Sequence, residues 1–599
     1  GNSFSEMFTT SVAVAVSAIP EGLPVALTVI LALGMQRILK KKGLVRKLLA
    51  AETLGGTSVI ASDKTCTLTE GKMKVAEIFA IDGKKSTKME VLKVGAVCNE
   101  AFIENQKDPQ ENWVLIGRPT DKALLSEAGA WGINRDLIEK KEEKLNEITF
   151  DSARKYAASL HKISKDKFVI YALGAPEKIL EFSKIDSEKK KQATEQLARL
   201  TGKGFRVVAS AKKNLNKYDP QKKLENEMKD LKFLGLIALK DPLRMDAKES
   251  IKQVQKAGIR TIIVTGDHKL TAKNIAEELG FKMQKDSLLE GKDLDMLSDK
   301  ELDNILTKVK VYARVEPKHK IRIVEAWQKR GEVVAMTGDG INDAPALKRA
   351  DIGVALGSGT EVAKETSDLI LLSDNFSIIV SAIEEGRAIL DNIRKVITYL
   401  LTGSFSEVIL IAGALLAGFP LPILPAQILW INLVEDGLPD ISLAFEKKED
   451  DLMDRKPQNQ NTPLLTKEMK IIIFVIGTIT NFMVLGLFFW LMNKGYDIAF
   501  VRTVIFVALA VDSLIYVFSL KSLRKNLWHI NIFSNKFLLA AVSAGFLLLF
   551  TAVYFPPFQT LLKTVPLSLT AWMAIIFLGI LQLLLIEAVK WYFIVKKKV

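Results

Sequence analysis

The sequence predicts a multidomain membrane protein, in which an α-helical transmembrane bundle is joined to a doubly wound α/β domain that is split by an α+β insertion. Three observations predict it. Apolar runs long enough to span a bilayer, at about 20 residues each, stand near the N-terminus and again and again beyond residue 385. Between them, short apolar strands alternate with amphipathic helices and end in loops rich in Thr, Gly and Asp, as in a parallel sheet with its chemistry at the strand ends. From roughly 80 to 240 that alternation gives way to mixed helix and strand.

Composition narrows the function. The chain has 599 residues, 48% of them hydrophobic, a formal charge of +14 and a pI near 9.3. Such a charge can signal nucleic acid, but here the lysines are scattered through helices or gathered at the ends of apolar runs, as positive-inside flanks are. A lipid bilayer is the expected partner, and no nucleic acid. Cys66 and Cys98 offer no disulfide framework. No secretory signal is read at the N-terminus, and the apolar runs exclude a soluble phosphatase.

The chemistry centres on Ser62-Asp63-Lys64-Thr65-Cys66-Thr67-Leu68-Thr69, directly after the apolar run Thr57 to Ala61. An aspartate at a strand end, beside a lysine and hydroxyls, can be a covalent nucleophile toward a phosphoryl group. It can equally be a capping Asp in an ordinary loop. Two further strand ends decide between these: Thr265-Gly266-Asp267 and Thr337-Gly338-Asp339-Gly340-Ile341-Asn342-Asp343. Phosphoryl transfer to a carboxylate needs Mg²⁺ on oxygen ligands, a hydroxyl or amide on the phosphate and a cation against its charge. Asp63, Asp339 and Asp343 supply oxygens, Thr265 can hold phosphate, and Lys320 in the Arg314 to Lys320 stretch is a candidate cation.

These stretches, in this order, resemble a P-type ATPase, and Ile19-Pro20-Glu21-Gly22-Leu23-Pro24 narrows the resemblance to type II pumps, which include calcium pumps. It implies a haloacid-dehalogenase-like phosphorylation domain in which Asp63 accepts the γ-phosphoryl group of ATP. Lys64, Thr65, Thr265, Gly266, Asp267, Lys320, Asn342 and Asp343 would assist, with Mg²⁺ at Asp63, Thr65 and Asp339. It also implies that the insertion binds nucleotide, Phe150 stacking on adenine, Lys155 and Arg206 meeting phosphate or ribose, and Asp121 nearby, with Arg314 added from the phosphorylation side. Read without the family, Phe150 is better explained as a core residue.

The expected domains are a first spanning helix (1–39), a phosphorylation domain in two segments (40–79 and 241–385), a nucleotide-binding domain between them (80–240), and six further spans (386–599) with a cytoplasmic C-terminus. A hairpin-like turn is expected at Ile81 to Lys84 and a returning strand at Asp241 to Arg244. Spans are expected near 8–36, 390–416, 423–445, 470–492, 499–520, 536–555 and 569–594. Seven spans put Lys521, Arg524, Lys525, Lys536 and Lys596 to Lys598 on the cytoplasmic side, and Glu446 to Lys470 reads as a solvated loop.

Pro20 and Pro24 interrupt the first span around Glu21, leaving carbonyls unbonded beside a carboxylate. That pattern suits a cation site, or else a proline kink with a snorkelling Glu. Glu407, Asn432, Glu435 and Asp436 complete an all-oxygen set for a hard cation; the resemblance implies Ca²⁺, with Mn²⁺, Na⁺ and H⁺ as open alternatives. Ser404 and Glu435 stand where calcium pumps have Asn and Thr. Asp512 is a ligand or supporting residue, and Glu587 reads as a helix-end snorkeller. Cys66 replaces a family glycine and Leu173 a family lysine, which predicts a slower site and weaker nucleotide affinity. Nothing resembling the family's actuator domain occurs, so the sequence reads as a C-terminal portion of a longer pump that needs its N-terminal portion for turnover, with a degenerate, non-pumping relative as the rival. Short external loops fit a prokaryotic plasma membrane.

Overall fold

Strand Val59–Asp63 is buried at every position, which explains its unbroken apolar run, since a central parallel strand is covered on both faces. The computed structural model describes residues 4, 8, 11, 12, 15, 22–219, 221–457 and 463–596, the side chains of 434–436 and 476 excepted. Val59–Asp63 lies inside an eight-stranded sheet ordered Gly43–Val45, Leu369–Leu371, Ile352–Leu356, Val334–Gly338, Val59–Asp63, Arg260–Val264, Val311–Ala313, Leu288–Glu290. All pairings are parallel except the first. The order reverses beside Val59–Asp63, so a crevice opens at its C-terminal end.

Alternate residues of this strand feed different cores. Ile60 packs with Ile263, Ile251 and Ile275 under helices Ala247–Lys256 and Lys269–Glu278. Val59 and Ala61 pack with Ile262, Val324 and Trp327 under helix Pro317–Lys329. Gly55 and Gly386 let helix Leu48–Gly56 touch the long helix Phe376–Leu416, because a Cβ on Gly55 would lie 2.5 Å from the Gly386 carbonyl oxygen.

Between Val59–Asp63 and Arg260–Val264 the chain builds a second sheet, six antiparallel strands ordered Lys74–Ala80, Lys232–Lys240, Arg206–Leu215, Lys167–Gly174, Tyr156–Ser164, Glu143–Ile148. Its strands alternate faces. Val169, Tyr171 and Leu173 pack with Val91 and Leu124, while Ile170 and Ala172 pack with Ile179 and Leu200. The turn at Ile81 to Lys84 does not make a hairpin: Asp82 accepts from Lys84 N–H at 3.0 Å and Thr87 Oγ1 at 2.8 Å, starting helix Lys85–Val97. Nor does Asp241 to Arg244 form a strand. Leu243 makes one bridge to Thr69, and Arg244 N–H donates to Leu68 O at 3.0 Å.

Among the described residues, six helices are long and apolar enough to cross a membrane: Leu23–Lys40, Phe376–Leu416, Lys467–Asn493, Ile498–Lys521, Lys536–Tyr554 and Leu569–Val595. The span expected at 423–445 is instead two helices, Pro425–Gly437 and Pro439–Leu443. Pro439 has no N–H to continue the ladder, and Leu438 takes φ −116° at the break. The span expected from 390 begins at Phe376, directly on the edge of the parallel sheet, and so carries the sheet body into the bundle.

Two charged features are more ordered than expected. The 446–470 stretch is not simply solvated. Lys521 Nζ donates to both Glu446 oxygens at 2.9 and 2.8 Å, both residues being buried, and Arg455 binds Asp391, Glu449 and Asp451 at 2.5 to 2.7 Å. Glu587 is no snorkeller. It is buried and accepts from Ser519 Oγ at 2.5 Å, Asn526 Nδ2 at 2.7 Å, Leu527 N–H at 2.8 Å and Lys590 Nζ at 3.2 Å. A carboxylate with four donors has no reason to reach for water.

Candidate functional site

Strand register assembles the site. Val264 pairs with Asp63, and Met336 with Ala61, so Thr265 and Gly338 flank Asp63 at the same sheet edge. Asp63 N–H donates to Thr337 Oγ1 at 2.9 Å and Thr65 N–H to Asp63 Oδ1 at 3.2 Å. Lys320, on the first turn of the helix that starts at Pro317, bridges Asp63 Oδ2 at 2.5 Å and Asp343 Oδ1 at 2.6 Å. The other Asp343 oxygen accepts from Asp339 and Gly340 N–H, each at 3.2 Å. Gly338 permits this approach: a Cβ there would lie 2.4 Å from that of Asp343.

Thr265 is buried, and its hydroxyl accepts Asp267 N–H at 3.1 Å. Asp267 in turn receives Lys64 Nζ at 2.7 Å, with Asp241 at 3.9 Å from the same ammonium. Gly266 and Asn342 are exposed beside the crevice. The Arg314 N–H donates to Asp267 O at 3.0 Å, but its guanidinium lies near Glu290, apart from the cavity of the insertion.

Charge is unbalanced here. Three carboxylates, Asp63, Asp339 and Asp343, gather around one ammonium, Lys320. Burial pushes the Asp63 carboxyl above the ordinary range, Lys320 opposing and Asp343 adding to the rise. Burial works against the charge of Lys320, and the two carboxylates outweigh it, so its pKa rises. Asp339 is raised by burial and by Asp343. Among the described residues no three acidic, His or Cys side chains already form a closed metal site. The residual negative charge and the all-oxygen donors nevertheless fit a hard divalent ion such as Mg²⁺, completed by phosphate oxygens.

Cys66 adopts φ 57°, the left-handed region that favours glycine. Burial, with the nearby Asp339 and Asp241 carboxylates adding to it, pushes the Cys66 thiol up to about 11. Arg244 Nε secures the loop at Cys66 O, 3.0 Å away.

The insertion holds a cavity of about 370 Å³ lined by Asp121, Phe150, Lys155, Leu173 and Arg206. Phe150 is half-exposed on its wall and so is no core residue. Arg118, which lies in the Gly117 to Leu124 segment that the resemblance places at the nucleotide but was given no role of its own, stacks 4.7 Å from the Phe150 ring centre and donates to Asp121 at 2.7 Å. Its signal was the Arg-Pro-Thr-Asp start of helix Pro119–Ala130. Burial raises the Asp121 carboxyl, Arg118 holding it back. A second cavity, about 270 Å³, runs between the sheets and is lined by Arg206, Lys203, Lys64 and Asp267. Arg206 belongs to both.

In the bundle, Glu407 is buried on the long helix, and Asn432 is half-buried on Pro425–Gly437, ahead of the break at Leu438. Glu21, and the side chains of Glu435 and Asp436, lie outside the described residues. Asp440, absent from the expected set, is fully buried just past Pro439.

Three family profiles match the chain: cation transporting ATPase, C-terminus, over residues 420–592; P-type ATPase, cytoplasmic domain N, over 87–246; and haloacid dehalogenase-like hydrolase over 321–383. A calcium-transporting ATPase of Bacillus subtilis is 38% identical over 616 residues, covering 96% of this chain and 68% of that protein. Calcium-transporting ATPase 1 of Bacillus cereus is 36% identical over 98% of this chain and 69% of its own length. Calcium-transporting ATPase 1 of Saccharomyces cerevisiae is 37% identical over 95% and 64%.

Proposed function

The chain belongs to the cation-transporting P-type ATPases, multi-pass integral membrane proteins, and from that premise we propose that Asp63 takes the γ-phosphoryl group of ATP and that this step drives calcium across the membrane. The observation that carries the reading is Lys320, held between Asp63 and Asp343 at 2.5 and 2.6 Å in a crevice with an excess of carboxylate. In this reading residues 40–79 and 241–385 are the phosphorylation domain, 80–240 bind nucleotide, and 1–39 with 386–599 form the bundle.

Adenine would stack on Phe150 in the larger cavity of the insertion, with Arg118, Asp121 and Lys155 around it. The triphosphate would pass Arg206, which the two cavities share, toward Lys64 and Asp267. An Asp63 carboxylate oxygen then bonds to the γ-phosphorus as the bridging P–O bond to ADP breaks, leaving an acyl phosphate. Thr265 and Asn342 would hold the equatorial oxygens, Gly266 leaving room for them, and Lys320 would offset their charge. Asp63, Thr65 and Asp339 would hold Mg²⁺, which when bound supplies further positive charge against the phosphate. Asp343 keeps Lys320 aimed.

For the cargo, Glu407, Asn432, Glu435, Asp436 and Glu21 offer hard oxygen donors. Radioactive calcium binding to the detergent-solubilised chain tests this. Saturable binding that Glu407→Gln weakens at least about tenfold supports calcium as cargo. Binding of Mn²⁺ or Na⁺ with no competition from Ca²⁺ would reassign it.

A further inference from the structure

A second concentration of charge stands far from Asp63, at the cytoplasmic end of the long helix. A small cavity of about 60 Å³ opens there, lined by Arg387, Asp391, Arg394, Arg455, Lys456 and Arg524 with apolar neighbours. At roughly 10–15 Å³ per water-sized group, it has room for a phosphate and its oxygens. Five cationic side chains meet a single carboxylate on its wall.

Their bonding sorts them. Arg455 is neutralised by Asp391, Glu449 and Asp451. Arg387 is buried, and its hydrogen bonds run to neutral carbonyls: Leu452 at 2.7 Å, Arg455 at 2.8 Å and Ala257 at 3.3 Å. Carbonyls orient a guanidinium without cancelling its charge. Lys456 is exposed and Arg524 half-buried, and neither side chain has a hydrogen bond or ion pair with a described residue.

The height of the cavity points to its occupant. On the long helix no charged residue occurs between Lys395 and Glu407, so the apolar layer begins just past Arg394. Arg524 follows the spanning helix Ile498–Lys521 by three residues. Both mark the level of lipid headgroups, where basic pockets between spanning helices take anionic lipid.

We propose that this cavity binds the phosphate of an anionic lipid headgroup, with Arg387 as its fixed floor and Lys456 and Arg524 closing on it. Guanidinium forks match phosphate oxygens in pairs. Since Arg387 also holds Ala257, at the end of helix Ala247–Lys256, a bound headgroup tightens the joint between the sheet body and the bundle.

The test is native mass spectrometry with thermal melting of the purified chain in neutral detergent, titrated with phosphatidylglycerol, phosphatidylcholine or inorganic phosphate. One tightly retained phosphatidylglycerol is expected, preferred about tenfold over phosphatidylcholine and lost about tenfold in the Lys456→Gln, Arg524→Gln double variant. That variant should melt like the parent without lipid, and Lys470→Gln, an exposed lysine at the same level, should retain lipid normally. Displacement of the lipid by millimolar phosphate that alone raises Tm equally would overturn the lipid and assign the same pocket to the free ion. Equal retention of both lipids with no effect of phosphate, or unaltered retention by the double variant, overturns the proposal.

Discussion

The molecule buries two clusters of opposite charges, and they differ in balance. Around Glu446 and Glu587, two carboxylates meet two ammonium groups, Lys521 and Lys590, and Ser519, Asn526 and Asn535 fill the remaining oxygen positions. Around Asp63, two carboxylates, Asp63 and Asp343, share Lys320, and Asp339 stands beside them with no ion pair to it among the described residues. The first cluster is complete and ties helix ends together. The second is short of positive charge and open to the crevice, a condition that fits uptake of a hard divalent cation. Burial of charge alone therefore does not mark function.

Removing one member of each cluster separates them. Lys521→Met leaves Glu446 buried without its partner and should cost about 3–5 kcal/mol of stability, seen as a large fall in Tm, while phosphorylation of the folded fraction proceeds as before. A normal Tm with slowed phosphorylation would erase the distinction. Lys320→Met, which strips the ammonium from Asp63 and Asp343, should in addition lower the single-turnover phosphorylation rate of the folded fraction about 10²–10³-fold.

The same imbalance sets a pH dependence. In the proposed reaction the Asp63 carboxyl must be ionised to attack, and burial holds its pKa above the ordinary 3.8. Proton loss on raising pH creates the nucleophile, so the acid limb of the single-turnover rate should climb with a midpoint above that value. A midpoint at or below it would mean that Lys320 outweighs burial. The smallest expected effect comes from Cys66→Gly, which removes a left-handed Cβ worth about 1–2 kcal/mol and should modestly raise both Tm and the phosphorylation rate; a fall in either would show that the side chain of Cys66 contributes more than the strain costs.

What the sequence revealed follows the same divide. The crevice at Asp63 was legible because its Thr, Gly and Asp groups follow apolar strands, and parallel register then brings Asp63, Thr265 and Gly338 together without further information. Lys320 was legible from its stretch, though its bridge to Asp343 was not. The complete cluster was opaque because its members are scattered among Glu446, Lys521, Asn535 and Glu587 and meet only through helix packing. Read singly, Glu587 looked like a helix-end snorkeller, Lys521 like a cytoplasmic flank and Glu446 like part of a solvated loop. The break at Leu438 was likewise hidden inside a stretch apolar enough to pass for one span, although Pro439 supplied the physical reason.

The most direct measurement is acid-stable incorporation of labelled phosphate from γ-labelled ATP into the purified chain, with hydroxylamine treatment and Asp63→Asn in parallel. A hydroxylamine-labile band that is lost in Asp63→Asn is the predicted result. A band of equal intensity in Asp63→Asn, or one that resists hydroxylamine, would contradict the assignment of Asp63 as the nucleophile.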